Sequence, residues 1–174
     1  QPQVFTRRIG ELMRDDRPRD SQRSRVYAWE NSISDAVLSS QLTLDQCQSL
    51  VERVFNCFRP TACAPVIIDG RNYKTAWANK LTGKVSLPVW ARTPAVVLHE
   101  VTHLLTPPKA ASHGPEFVRI MCSLWKWHTG RDYVASAMKM GIKLAPPSVN
   151  ARPFTIVSSA KGQIRMPVVT GSGD

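Results

Sequence analysis

Thr93-Pro94-Ala95-Val96-Val97-Leu98-His99-Glu100-Val101-Thr102-His103-Leu104-Leu105-Thr106-Pro107-Pro108 is the stretch that decides the fold. Thr93 is a side-chain acceptor at an N-cap and Pro94 suits the first helical position, while Pro107-Pro108 stops whatever precedes it. The spacing predicts a helix between them. Apart from Thr102 and one face carrying His99, Glu100 and His103, that helix is apolar all round, which is the pattern of a buried element. Buried polar side chains need partners, and a shared metal ion supplies one.

His99 and His103 stand at i and i+4, so both imidazoles reach one ion from one helical face while Glu100 projects beside them as a base. Four His and five Glu in 174 residues give a chance expectation of about three H-E-x-x-H matches per thousand such chains, so accident is a poor explanation. The third ligand sets the class of site. A continuation H-x-x-G-x-x-H after His103 fails, because Thr106 and Lys109 occupy the required positions. His113 opens the run His113-Gly114-Pro115-Glu116-Phe117, where a second helix begins with Phe117, Ile120, Met121, Leu124 and His128 at helical spacing. A histidine near a helix N-terminus is disfavoured in its protonated form, as a zinc ligand must be. Glu116 is the alternative ligand, or a carboxylate supporting the ligands from outside. Three histidines leave the fourth position of a tetrahedral Zn2+ ion to water, the catalytic arrangement. Such an ion lowers the pKa of the water and polarises a carbonyl, and Glu100 takes the water proton and returns it to a leaving amine.

The combination of His99-Glu100-x-x-His103 with His113-Gly114-Pro115-Glu116-Phe117 resembles the SprT-like zincins, which include the Spartan proteases that degrade proteins crosslinked to DNA. Gly83-Lys84-Val85-Ser86-Leu87 is similar to the edge strand that leads into that family's active-site helix. The run from Arg19 to Glu30 also resembles a group of uncharacterised actinobacterial metallohydrolases sharing the same core. The resemblance spans roughly residues 21 to 140. It implies a zinc metalloprotease with His99, His103 and His113 as ligands and Glu100 as the catalytic base. The chain departs from the family in one respect. Many SprT-like proteins carry a zinc ribbon after the core, whereas Cys47, Cys57, Cys63 and Cys122 all precede residue 123 and form no C-x-x-C.

The rest of the sequence bounds the reading. A chain of 174 residues, 43% hydrophobic, is sufficient for one good core. No run approaches the roughly 20 apolar residues of a membrane span, and irregularly spaced cysteines without an export signal lead us to expect reduced thiols in a cytoplasmic protein. The net charge is +10, and between residues 53 and 92 Arg53, Arg59, Arg71, Lys74, Lys80, Lys84 and Arg92 face Asp69 alone. Aligned beside the site, those bases would attract DNA or acidic substrates; dispersed, they serve solubility.

The expected organisation is a charged, flexible arm over 1–20, a metallopeptidase domain over 21–145 and a basic, proline-containing tail over 146–174. Within the domain an amphipathic helix from Ser21 includes Val26, Tyr27, Trp29 and Ile33, and a second starts at Thr43 with Gln46 completing a capping box. Strands are expected at 65–68, 74–78 and 84–87, and a short helix over about 132–140. In the tail, 154–157 and 164–169 suit a hairpin, although Pro167 does not suit a central strand. This order of helices, a small mainly antiparallel sheet and two metal-bearing helices is an α+β, zincin-like single domain. Downstream, Tyr133, His128 and Arg131 are candidates to reach the cleft, Tyr133 as a transition-state donor, against the plainer reading of each as packing or surface; the cluster Trp125, Trp127 and Tyr133 reads as core first and substrate platform second. The expected partner is a protein or peptide substrate, with DNA as a further candidate. The competing functions are a metal-dependent amidase acting on a non-protein substrate and a nucleic-acid-binding module with a non-catalytic metal.

Overall fold

The structure, a computed structural model, describes residues 18–147. The first seventeen residues of the arm and the hairpin expected in the tail lie outside that range.

The helix opened by Thr93 is the centre of the molecule. It runs Pro94–Leu105, and Thr93 Oγ1 accepts from the Val96 amide. At the other end Thr106 Oγ1 takes a 2.7 Å bond to the Thr102 carbonyl before Pro107 closes the run. Val97, Leu98, Val101 and Thr102 are buried on several sides, because other helices and the sheet pack around this element. In chain order the helices are α1 (Arg23–Ser32), α2 (Ala36–Ser39), α3 (Leu44–Phe58), α4 (the central Pro94–Leu105), α5 (Pro115–Thr129) and α6 (Val134–Lys139). The expected short helix over 132–140 is α6, and Ile33 is the C-cap of α1, one residue beyond it.

Local chemistry explains most of these ends. Thr43 and Gln46 form both halves of a capping box at the start of α3, at 2.8 and 3.2 Å. α5 starts on Gly114-Pro115 and stops at Gly130, whose φ of +77° is the left-handed conformation that glycine adopts without strain. Gln48, half-buried on the side of α3 that faces the sheet, takes over part of a strand's role by accepting from the Ile67 amide at 2.8 Å.

The sheet has three strands, β1 (Val66–Asp69), β2 (Trp77–Asn79) and β3 (Lys84–Leu87), in the order β1-β3-β2. β2 and β3 are antiparallel, with Ala78 opposite Val85, but β1 runs parallel to β3, with Ile67 opposite Val85. The expectation of a mainly antiparallel sheet is corrected on this point. β2 turns directly into β3 and occupies one of its edges, so β1 takes the other edge and the intervening chain reverses its direction. Where β1 ends, Gly70 passes so close to β3 that a Cβ would lie 2.6 Å from Ser86 Oγ and 2.8 Å from the Leu87 carbonyl carbon.

Trp29 of α1 and Trp125 of α5 stack at 5.2 Å in the middle of the core, among Leu98, Val101, Phe117, Met121 and Leu124. Trp29 Nε1 donates to Ser136 Oγ at 3.0 Å, tying α1 to α6. Full burial of an aromatic or large aliphatic side chain contributes about 1.5–3 kcal/mol, and this shared core fixes α1, α4 and α5 relative to one another.

Candidate metal centre

His99 and His103 project from one face of α4, and His113 comes from the loop between α4 and α5. That loop is folded by its own backbone, Ala110 N donating to Pro107 O and Gly114 N to Ala111 O, both at 3.0 Å. The three ring centroids lie 4.8–5.3 Å apart. Phe117, on the first turn of α5, packs against all three rings at 4.6–5.0 Å. Their candidate ligand atoms all fall within 4.8 Å of one another.

Two carboxylates orient this cluster. Glu30 Oε1 lies 2.6 Å from His99 Nδ1, and Asp20 Oδ2 lies 2.7 Å from His113 Nδ1. A carboxylate only accepts, so each Nδ1 carries a proton, and in the neutral ring Nε2 then keeps its lone pair. His113 Nε2 is buried without any hydrogen-bond partner. His99 Nε2 faces His103 Nε2 at 3.1 Å; two nitrogens bound to one tetrahedral zinc at about 2.0–2.1 Å are separated by roughly 3.3 Å. An orphaned His113 nitrogen beside the Nε2 atoms of His99 and His103 fits a divalent metal ion. The three histidines can hold such an ion.

The electrostatics favour the neutral ring for two of the three histidines. Burial, with the positive charges of His99, His113, Lys80 and Arg23 around it, lowers His103 to about 3. Burial also lowers His113, against the opposing pull of Asp20. For His99 burial works in the same direction, yet the bond and charge of Glu30, aided by Glu100, raise its pKa overall. Burial pushes the Glu100 carboxyl up to about 7, with His99 opposing and Glu30 adding to the rise. A buried carboxyl group beside the cluster is able to take and return a proton.

A cleft of about 520 Å³ opens onto the cluster, and Asp20, Arg23, Tyr27, Lys80, Glu100, His103 and His113 are among its lining residues. β2 forms one wall with Trp77, Ala78 and Asn79. Lys80 follows that strand and donates to the Thr106 carbonyl at 2.7 Å, at the C-terminal end of α4.

All four residues of the H-E-x-x-H and third-histidine reading therefore meet at one place. The two supporting candidates do not. Glu116 is exposed in the first turn of α5. Tyr133 is buried against Trp125 with its hydroxyl donating to Asp35 Oδ2 at 2.7 Å, away from the cleft. Arg131 pairs with the same Asp35, at 2.9 Å, and His128 lies beside Trp127. The seven bases of 53–92 do not line up along the cleft: Lys80 borders it, Arg71 and Arg92 both pair with Asp69, and Arg53 lies over Trp127.

Sequence reasoning missed Asp20, Glu30, Arg23 and Tyr27. Asp20 is the last residue of the segment read as a flexible arm, and it holds a histidine. Gln22 adds a buried 2.9 Å bond from Nε2 to the His113 carbonyl. Tyr27, read as part of an amphipathic helix, stacks on His99 at 5.6 Å; burial raises its pKa, with Arg23 opposing. The available signal was the spacing of Arg23, Tyr27 and Glu30 along one face of α1. Among the described residues no helix is long and apolar enough to cross a membrane, and all four cysteines are free thiols. No protein-family model, curated protein or solved structure matches the chain.

Proposed function

We propose that this chain is a zinc-dependent hydrolase of peptide bonds, with a zincin-like, SprT-like core in which Glu100 is the general base. The single observation that carries the reading is the buried Glu100 carboxyl in the same cleft as three imidazoles that have their free nitrogens gathered within ligand distance of one another. His99, His103 and His113 would hold the ion. When bound there, zinc supplies a Lewis acid for the substrate carbonyl and makes a water molecule acidic enough to be a nucleophile at neutral pH.

The protein's own groups do the rest. Glu100 accepts the proton of the attacking water and delivers it to the amine nitrogen as the amide bond breaks. Glu30 and Asp20 keep the His99 and His113 rings in the tautomer and orientation that ligation needs. The wall formed by β2, an outer strand of the sheet, suits an extended peptide because an edge strand has backbone donors and acceptors left to pair.

The test is turnover by the zinc-loaded full chain and by Glu100→Gln on three kinds of substrate: an unfolded protein, a protein crosslinked to DNA, and small non-protein amides. Peptide-bond cleavage that disappears in Glu100→Gln supports the proposal. Cleavage confined to the crosslinked protein assigns the net charge of +10 to nucleic-acid recognition. Cleavage confined to small amides, or turnover unchanged in Glu100→Gln, contradicts the proposal.

A further inference from the structure

One wall of the cleft is unused by the reaction as written. α1 presents Arg23, Tyr27 and Glu30 at i, i+4 and i+7, on one helical face. Glu30 is engaged by His99. The Tyr27 ring lies 5.6 Å from the His99 ring in a stacked arrangement and 5.0 Å from the His113 ring. The Arg23 guanidinium sits 5.5 Å from the centre of the Tyr27 ring, and both side chains line the cleft with Glu100 and His103.

Attack of water on an amide turns a neutral carbonyl oxygen into an oxyanion, and donors placed where that charge develops are among the largest contributions to catalysis. Several other polar groups of the cleft are engaged elsewhere, although Ser112 and the Asn79 amide nitrogen also line it as donors. Lys80 Nζ donates to the Thr106 carbonyl, the Asn79 side-chain oxygen accepts from the Leu81 and Thr82 amides, and Asp20 and Glu100 are carboxyl groups with other roles. Tyr133, one of the residues that the sequence offered as a candidate donor, is held by Asp35.

We propose that Tyr27 is a catalytic residue whose phenolic O–H donates a hydrogen bond to the oxyanion, with Arg23 beside it fixing the ring and adding positive charge. The proton stays on the tyrosine throughout, so no bond is made or broken there. The inference rests on the zinc-hydrolase reading and deepens it.

The test compares zinc-loaded full chain with Tyr27→Phe, which keeps the ring and its packing, and with Arg23→Gln and Arg23→Lys. Two quantities are read besides turnover: zinc affinity by chelator competition, and the dissociation constant of a peptide phosphonate, whose tetrahedral anion resembles the transition state. The expected result for Tyr27→Phe is a fall in kcat of about 100- to 1,000-fold with little change in KM. Phosphonate affinity falls with it, and zinc affinity stays within about threefold, since no ligand is touched. Arg23→Gln weakens phosphonate binding and Arg23→Lys restores part of it.

Equal phosphonate affinity in wild type and Tyr27→Phe overturns the role of Tyr27, whatever the turnover numbers. Lost zinc affinity in Tyr27→Phe also overturns it, because the tyrosine would then act by supporting the histidines. A zinc-loaded wild type that neither cleaves a peptide nor binds the phosphonate removes the zinc-peptidase reading and this inference with it.

Discussion

Replacing Glu30 measures how far the centre depends on residues that precede the metal-binding motif. Its carboxylate lies 2.6 Å from His99 Nδ1, and its side chain is 15% exposed. A hydrogen bond to a charged group contributes about 1.5–3 kcal/mol. Carboxylates that support metal-bound histidines in this way are worth roughly 10- to 100-fold in metal affinity, or about 1.4–2.7 kcal/mol. Glu30→Gln keeps an acceptor oxygen but removes the charge, which places it near the 10-fold end. Glu30→Ala leaves the buried Nδ1 proton without a partner, which places it near the 100-fold end. Asp20 supports a different ligand, so Asp20→Asn should weaken zinc by a similar factor. Glu116→Gln should change nothing, because that side chain is exposed outside the cleft. The assay is competition against a chromophoric chelator, with far-ultraviolet circular dichroism confirming that each variant is folded. Zinc affinity unchanged within about threefold in Glu30→Ala, or a loss in Glu116→Gln equal to that in Glu30→Ala, would refute the reasoning.

Further expectations concern the base and the frame. Glu100→Gln should retain zinc while losing about 100- to 10,000-fold in turnover, read by metal analysis beside a peptide-cleavage assay; retained turnover removes the carboxylate from the chemistry. Asp35 accepts from the Tyr133 hydroxyl, the Val37 amide and Arg131, and the Tyr133 bond foremost holds its pKa below the usual carboxylate range. Its folded pKa is depressed, so the stability it contributes is present above the unfolded pKa of about 3.9 and is lost as pH falls through the folded value. Urea unfolding from about pH 6 down to pH 2 should therefore show a smaller acid-side loss for Asp35→Asn than for wild type, and parallel pH profiles would contradict this. Gly70→Ala should destabilise by about 1–3 kcal/mol, because the added Cβ meets Ser86 and the backbone of β3; an unchanged urea midpoint would show that β1 and β3 separate easily.

Local signals in the sequence carried most of the frame. The Thr93-Pro94 start of α4, the Thr43–Gln46 box of α3 and the Gly114-Pro115 start of α5 are each written within a few residues, and each appears where expected. The three clustered histidines were legible for the same reason: two share one helical face and the third follows after a short loop. Pairing direction in the sheet was not. Strands of three or four residues announce extended backbone but not which neighbour they choose, and the parallel partnership of β1 with β3 is decided by β2 taking the other edge. The supporting carboxylates were hidden by distance, since Glu30 and Asp20 stand 69 and 93 residues from the histidines they hold. Tyr133 takes the core place that its company with Trp125 suggested and not the cleft, because Asp35, 98 residues away, satisfies the hydroxyl inside the core. Asp35 also caps α2, a four-residue helix too short for any periodicity to announce.

The central claim is that His99, His103 and His113 hold one ion. Its most direct test is metal stoichiometry of the purified full chain loaded with zinc and freed of excess, measured for wild type, His99→Ala, His103→Ala and His113→Ala. One zinc per chain is expected in wild type, with affinity reduced by orders of magnitude in each variant, because each deletes a metal–nitrogen bond. A wild type that retains no zinc, or any histidine variant that keeps full occupancy at wild-type affinity, would contradict it.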